Sequence, residues 1–189
     1  MKSLIILTFS FLIIQILQST HAEAQVPSAK VGIYDFTGNT ASQFYVLTPV
    51  LMTEFKLWKS ANLDLRISPG FSFNMTRYNS HFHYLYMVPL LVTIFYHLPN
   101  ADSKIYPSIG MGNSLIWKAD YNRDFEKTHY SAAYGFHATG RINYSLNRGR
   151  LVFFDMTYNQ LVPNRSEEVN LSGVILLVGM DFSIKFNTR

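Results

Sequence analysis

No cysteine occurs anywhere in the 189 residues. That excludes a disulfide framework, a thiolate metal site and a lipid-attachment cysteine. Charge is also scarce, with Lys, Arg, Asp and Glu together 15% of the chain and a formal net charge of +4. The basic residues are scattered and form no Lys/Arg tract, so no nucleic-acid partner is expected. No glycine-rich loop suited to cradling phosphate is present, and the six histidines do not fall into a metal-ligand spacing. No cofactor is therefore expected.

Past the leader there is no clean helix-spanning run. The nearest rival, 82–98, carries Pro89 in its middle and His83 and His97 near its ends. Its aromatic and β-branched residues favour a strand. The leader itself is not fold. Lys2 precedes a mostly apolar run from Leu4 to Leu17, and Ala22-Glu23-Ala24 fits a small-x-small cleavage site. Residues 1–24 read as a secretory signal peptide cleaved before Gln25. Residues 25–189 are long enough for one domain.

What is there is alternation. In 61–77, Leu63, Leu65, Ile67, Pro69, Phe71, Phe73 and Met75 share one parity. Asn62, Asp64, Arg66, Ser68, Gly70, Ser72, Asn74 and Thr76 share the other. Successive strand side chains point to opposite faces, so this is one strand with an oily face and a polar face. It exceeds the usual length of about 5–6 residues and suits a tilted strand crossing lipid, which needs about 9–11. The pattern predicts strands at 29–37, 43–57, 61–77, 82–97, 104–117, 130–146, 150–161 and 172–186. The parity of the first is not fixed by its residues. Connections 58–60, 98–103 and 147–149 are short, whereas 118–129 and 162–171 are long and charged. Short periplasmic turns and longer external loops are the outer-membrane barrel pattern. Trp58 and Trp117 then fall at opposite interfaces.

Volume selects which face points inward. An eight-stranded barrel has an interior just wide enough for side chains to fill. The apolar faces are bulky, and the polar ones are rich in Gly, Ser, Thr, Ala and Asn. The expected fold is therefore all-β: an eight-stranded antiparallel up-and-down transmembrane β-barrel behind a cleaved signal peptide. Leu65, Phe71, Phe73, Val88, Leu90, Ile94, Phe136, Val178 and Phe182 are expected to face lipid. Pro49, Pro69, Pro89 and Pro107 sit on the apolar parity and predict local bulges, because proline cannot donate to a ladder. A soluble lipocalin-like barrel, oily face inward and holding a ligand, is the alternative.

Several segments resemble the PorT-like outer-membrane β-barrel proteins typical of Bacteroidetes. They are Ile67-Ser68-Pro69-Gly70-Phe71, Tyr86-Met87-Val88-Pro89-Leu90-Leu91, Tyr106 to Gly112, Tyr134-Gly135 to Tyr144, Phe154-Asp155-Met156-Thr157-Tyr158 and Leu177-Val178-Gly179-Met180-Asp181-Phe182. The acidic residue that the family usually carries near Met87 is absent here. The resemblance implies fold and location rather than activity; some relatives take part in protein secretion. Gly179-x-x-Phe182-x-Ile184-x-Phe186 also resembles a barrel-assembly signal, followed here by Asn187-Thr188-Arg189. Outer-membrane lipid and the barrel-assembly machinery are the implied partners.

The inward parity collects Glu54, Lys56, Asp64, Arg66, His83, His97, His137, Arg141, Asp155, Asp181 and Lys185. In a narrow lumen these charges are expected to pair, Arg66 and Arg141 with Asp64, Asp155 or Asp181, because buried charges need partners. A plugged polar lumen with no open channel and no catalytic residues follows. His137-Ala138-Thr139 leaves a lipid-modifying hydrolase as a second alternative, with histidine activating a hydroxyl. Tyr121, Arg123 and Phe125 in the 118–129 loop are the candidate contacts for an envelope partner.

Overall fold

The computed structural model describes residues 27–38, 41–42, 45, 47–78, 81–99, 104–122, 127–146, 150–162 and 170–182. The signal peptide, Arg123, Phe125 and Lys185 lie outside the described residues, as do Ile184 and Phe186 of the assembly-signal reading. Eight strands follow in order: β1 Ser28–Phe36, β2 Thr48–Ser60, β3 Leu63–Tyr78, β4 His81–His97, β5 Ile105–Asn122, β6 Lys127–Ser145, β7 Leu151–Val162 and β8 Gly173–Asp181. Each pairs antiparallel with its neighbours, and β1 closes on β8 from Ser28↔Asp181 to Phe36↔Gly173. Closure leaves no unpaired edge, the condition for strands to lie in hydrocarbon. Pro27 and Phe182, the first and last described residues, meet at one end of the barrel, called here the near end.

The residues predicted to face lipid all point outward; Phe71, Val88, Ile94, Phe136, Val178 and Phe182 are exposed, and Leu65, Phe73 and Leu90 are half-buried. The soluble, oily-core alternative is not favoured, since the bulky parity is on the outside. Lumen-facing neighbours such as Ser68, Ser72, Thr139 and Arg141 are buried. Inward glycines stand directly across the ladder from large inward side chains. Gly110 pairs with Phe95, Gly179 with Phe153 and Gly70 with Met52. A methyl at Gly179 would meet the Phe153 ring at 2.4 Å, one at Gly110 the Phe95 ring at 2.9 Å and one at Gly70 the Met52 side chain at 2.7 Å, so each of these side chains fits only because its partner has none.

Four expectations are corrected. β2 runs on through Trp58 to Ser60, and the turn lies at 61–62; the register shifts between Lys56 and Trp58, a bulge absorbed by Leu57. No register shift occurs at a proline. Pro49 and Pro107 are exposed and Pro69 is half-buried on the outer face, but Pro89 is buried in the lumen between Met87 and Leu91. β4 is apolar on both faces, so parity alone misassigned it. The predicted 118–129 loop is mostly strand, because β5 continues to Asn122 and β6 begins at Lys127. Cross-strand aromatic contacts, Tyr84–Tyr121 at 6.0 Å and Phe73–Tyr86 at 5.0 Å, pack the outer face of this extension. β3 to β6 therefore rise above the shorter β7, β8, β1 and β2 at the far end.

Candidate functional site

The lumen is the only place where the fold gathers charge among the described residues, and it gathers it in the near half. Lys30 on β1, Glu54 on β2, Asp64 and Arg66 on β3, Arg141 on β6 and Asp155 on β7 are all buried. Arg141 donates through Nε and Nη2 to Asp155 at 2.6 and 2.7 Å, and through Nη1 and Nη2 to Glu54 at 2.9 and 2.8 Å. Arg66 forks onto Asp64 at 2.9 and 2.6 Å and reaches Glu54 at 2.5 Å. Lys30 bonds Glu54, and Asp155 at 3.2 Å. Three cations thus meet three carboxylates, with Glu54 shared by all three cations.

Aromatic rings wall this cluster. Arg141 lies 4.0 Å from the Phe153 ring centroid and 4.3 Å from that of Phe95. Ring faces attract cations most where water is excluded. The paired, bidentate geometry offsets the cost of desolvating six charges, a cost of several kcal/mol per ion when unpaired. His97 extends the network toward the near mouth, with Nε2 2.8 Å from Asp64 and Nδ1 2.8 Å from Ser108.

The other predicted lumen charges sit apart. Asp181 is half-buried and accepts a bond from Ser28 at 2.6 Å. Lys56 is half-buried on the last inward position before the bulge. His137 lies between Thr93 and Ser114, at 2.9 Å from each hydroxyl. Thr139 bonds Thr157 instead at 2.9 Å, so the suggested His137–Thr139 pair is not assembled. Tyr121 lies on β5 rather than in a loop, half-buried and beside Tyr84.

The far half of the lumen holds a mainly apolar core, with buried Thr48, Ser72 and Asn159 among it, which corrects the expectation of a polar lumen throughout. Tyr34, Phe36, Leu85, Met87, Ile116, Leu161, Ile175 and Leu177 form a core there. Ala41 and Tyr45, from the β1–β2 connection, are buried in the same core. Tyr34 donates to the Leu171 carbonyl at 2.5 Å and accepts from Asn159 at 3.1 Å. Burial first, and then the Asp120 carboxylate at 3.3 Å, push the Tyr45 phenol above the ordinary tyrosine range.

Sequence reasoning missed Lys30, Phe95 and Phe153. Phe95 shares parity with His97 and Phe153 with Asp155, a signal that the inward charges already supplied. Lys30 lay on the strand whose parity stayed open.

No protein-family model matches the sequence, and no curated protein matches it. Solved structures do match in fold. The chain is similar to Neisserial surface protein A, with a TM-score of 0.64 at 12% identity over 85% of this chain and 97% of that one. It is similar to the N-terminal β-barrel domain of Pseudomonas aeruginosa OprF, with a TM-score of 0.52 at 9% identity over 84% and 99%. It is also similar to Ail, the attachment invasion locus protein of Yersinia pestis, with a TM-score of 0.52 at 7% identity over 84% and 97%. At these identities the likeness is one of fold.

Proposed function

We propose that this chain is an integral outer-membrane barrel whose lumen is plugged, and which serves envelope structure or binds a partner through its far end without catalysing a reaction. The observation that carries the reading is the inversion of the usual protein interior: bulky apolar side chains outside a closed ladder, and a balanced ion cluster within. Such a molecule is stable only where the solvent is hydrocarbon. The leader 1–24 delivers it across the inner membrane and is removed before Gln25. Lipid and the barrel-assembly machinery are its partners during biogenesis. Among outer-membrane barrels it is grouped here with the PorT-like proteins, on the short segments from Ile67 to Phe182 given above.

The charged 118–129 segment, with Tyr121, Arg123 and Phe125, remains the first candidate for a partner contact. At the far end β3 to β6 rise above β7, β8, β1 and β2, and this segment lies on that raised side, which supports that choice. Lys30, Glu54, Asp64, Arg66, Arg141 and Asp155 act as the plug, and Lys56 and Asp181 add to the lumen charge set. The test is fractionation and crosslinking in native cells. The mature protein should appear in the outer-membrane fraction with Gln25 as its first residue, and should migrate differently folded and boiled. Recovery as a soluble periplasmic protein would end this reading.

A further inference from the structure

The ladder that closes the barrel stops short at one seam of the far end. β6 begins at Lys127, but its pairing with β7 begins only at Tyr134↔Val162. Residues 127–133 pair on one side alone, with β5, from Asn122↔Lys127 to Ile116↔Ala133. Among the described residues no strand lies on their other side. Backbone groups face that gap. Leu161 bonds the Ser172 hydroxyl through both its N–H and its C=O, on the β8 side. Gln160 and Val162 therefore bond toward β6, opposite Phe136 and Tyr134. Bonding direction alternates along a strand, so the same parity further out, Thr128, Tyr130 and Ala132, turns its N–H and C=O groups into the gap.

The open stretch starts where the hydrocarbon ends. Tyr144 and Tyr134 are both exposed on the outer face of β6. At about 3.3 Å per residue and a tilt of about 40°, the strand climbs about 25 Å between them, the height of the apolar band of a membrane barrel. Residues 127–133 thus stand in water, where an unpaired edge is tolerated; in hydrocarbon it is not. Exposed edges are normally guarded by proline, bulges or charge. Here the β5–β6 register runs unbroken. Past Lys127 at the tip, Thr128-His129-Tyr130-Ser131-Ala132-Ala133 holds no proline and no permanent charge. Tyr130 is 80% exposed, and beside it the Ser131 hydroxyl is buried with no hydrogen-bond partner.

We propose that the far end of β6 accepts a strand: an extended segment of a partner protein pairs with residues 128–133 and continues the sheet outside the membrane. The inference deepens the partner-binding reading above and rests on it. Main-chain hydrogen bonds supply the affinity in such strand addition, and alternate side chains supply the choice of partner. The outer side of the added strand lies against Tyr130 and Tyr134 and takes apolar residues. Its inner side meets His129 and Ser131 and takes small polar ones. A second copy of this chain does not fit. Two barrels sharing a membrane are related by an axis along its normal, so their β6 edges lean in opposite directions and cross at about 80°, twice the strand tilt, which forbids a ladder.

The probe is a fluorescent peptide of alternating valine and threonine with a lysine at each end, titrated onto the full mature protein in lipid nanodiscs. It should bind the wild type. Ala132→Pro removes an N–H that faces the gap and leaves the β5 ladder intact; it should weaken binding about tenfold, the worth of one to two main-chain hydrogen bonds. Tyr130→Ala keeps the backbone and should weaken binding about threefold, by loss of apolar contact. The chain has no cysteine, so single cysteines report register. A peptide with cysteine in place of its central valine should form disulfides with Thr128→Cys, Tyr130→Cys and Ala132→Cys but not with His129→Cys; cysteine in place of the central threonine should reverse the pattern. No binding to wild type overturns the proposal, as does undiminished binding to a folded Ala132→Pro variant. Cross-links without alternation overturn it in favour of simple adhesion to Tyr130. Disulfide dimers of Tyr130→Cys that exclude the peptide overturn it in favour of a second copy. A membrane-impermeant maleimide tests the underlying reading separately: if it reaches Tyr130→Cys only in broken cells, the external placement of the far end has itself failed.

Discussion

Arg141→Met tests whether the lumen is held by its ion cluster. The Arg141 side chain has no exposed surface, and it makes four hydrogen bonds to Asp155 and Glu54. Its loss is felt unequally. Glu54 keeps Lys30 and Arg66 at 2.5 Å, but Asp155 keeps only Lys30, at 3.2 Å. One buried carboxylate is then under-compensated, a defect that costs about 3–5 kcal/mol. Methionine refills much of the space between Phe95 and Phe153, so the charge defect dominates. Urea unfolding in lipid vesicles, followed by tryptophan fluorescence, should show a midpoint lower by about 2 M if the slope is near 2 kcal/mol per M. The decisive control is Arg141→Met/Asp155→Asn, which leaves Lys30 and Arg66 against Glu54 and Asp64. Balance restored should return about 2 kcal/mol or more as a coupling energy. Additive losses, or a single variant costing under about 1 kcal/mol, would refute the view that pairing in a dry lumen stabilises the barrel. In planar bilayers the wild type should be silent, and Arg141→Ala should leak. Large ohmic conductance from wild type would refute the plug, since open channels belong to barrels of about 16–18 strands.

Gly179→Ala places a methyl 2.4 Å from the Phe153 ring and should cost about 1–3 kcal/mol by forcing that ring off Arg141; an unchanged urea midpoint would contradict the packing. A spin label at Phe71→Cys should relax strongly with lipid-soluble oxygen, and Ser72→Cys, at a position 1% exposed, should resist labelling; the opposite pattern would reverse the two faces. Tyr45 should make stability fall at alkaline pH. Its phenol is held protonated in the folded state, so its contribution is complete below the unfolded value near 10 and is lost as the pH rises from there toward the folded value. Tyr45→Phe should flatten that part of the curve of unfolding midpoint against pH, and an identical slope in the variant would show that Tyr45 is not the group responsible.

The near half of the lumen was legible because charge breaks the symmetry between faces. Asp64, Arg66 and Ser68 on β3, or Arg141 and Asn143 on β6, cannot face hydrocarbon, so one polar residue fixes a whole strand. Where neither face carries charge the sequence is silent. Leu85, Met87, Pro89 and Leu91 look as suited to lipid as Tyr86, Val88 and Leu90, yet the first set fills the apolar core that Tyr45 helps to close. β1 posed the opposite difficulty: Lys30 is its only inward charge, and Asp35 on the other parity points outward and exposed. The rule that small residues go inside was sound as an average, but the barrel satisfies it pair by pair. Phe95 can enter because Gly110 stands across from it, and Phe153 because Gly179 does. A single strand cannot contain that information, since the space for its side chain is made by a residue on the next strand, at a position set by register. Register in turn depends on a bulge at Leu57 that no proline or glycine announces. The strand pattern therefore determines that a barrel forms and which solvent it needs, while the cross-strand pairing of large with absent side chains determines what its interior is made of.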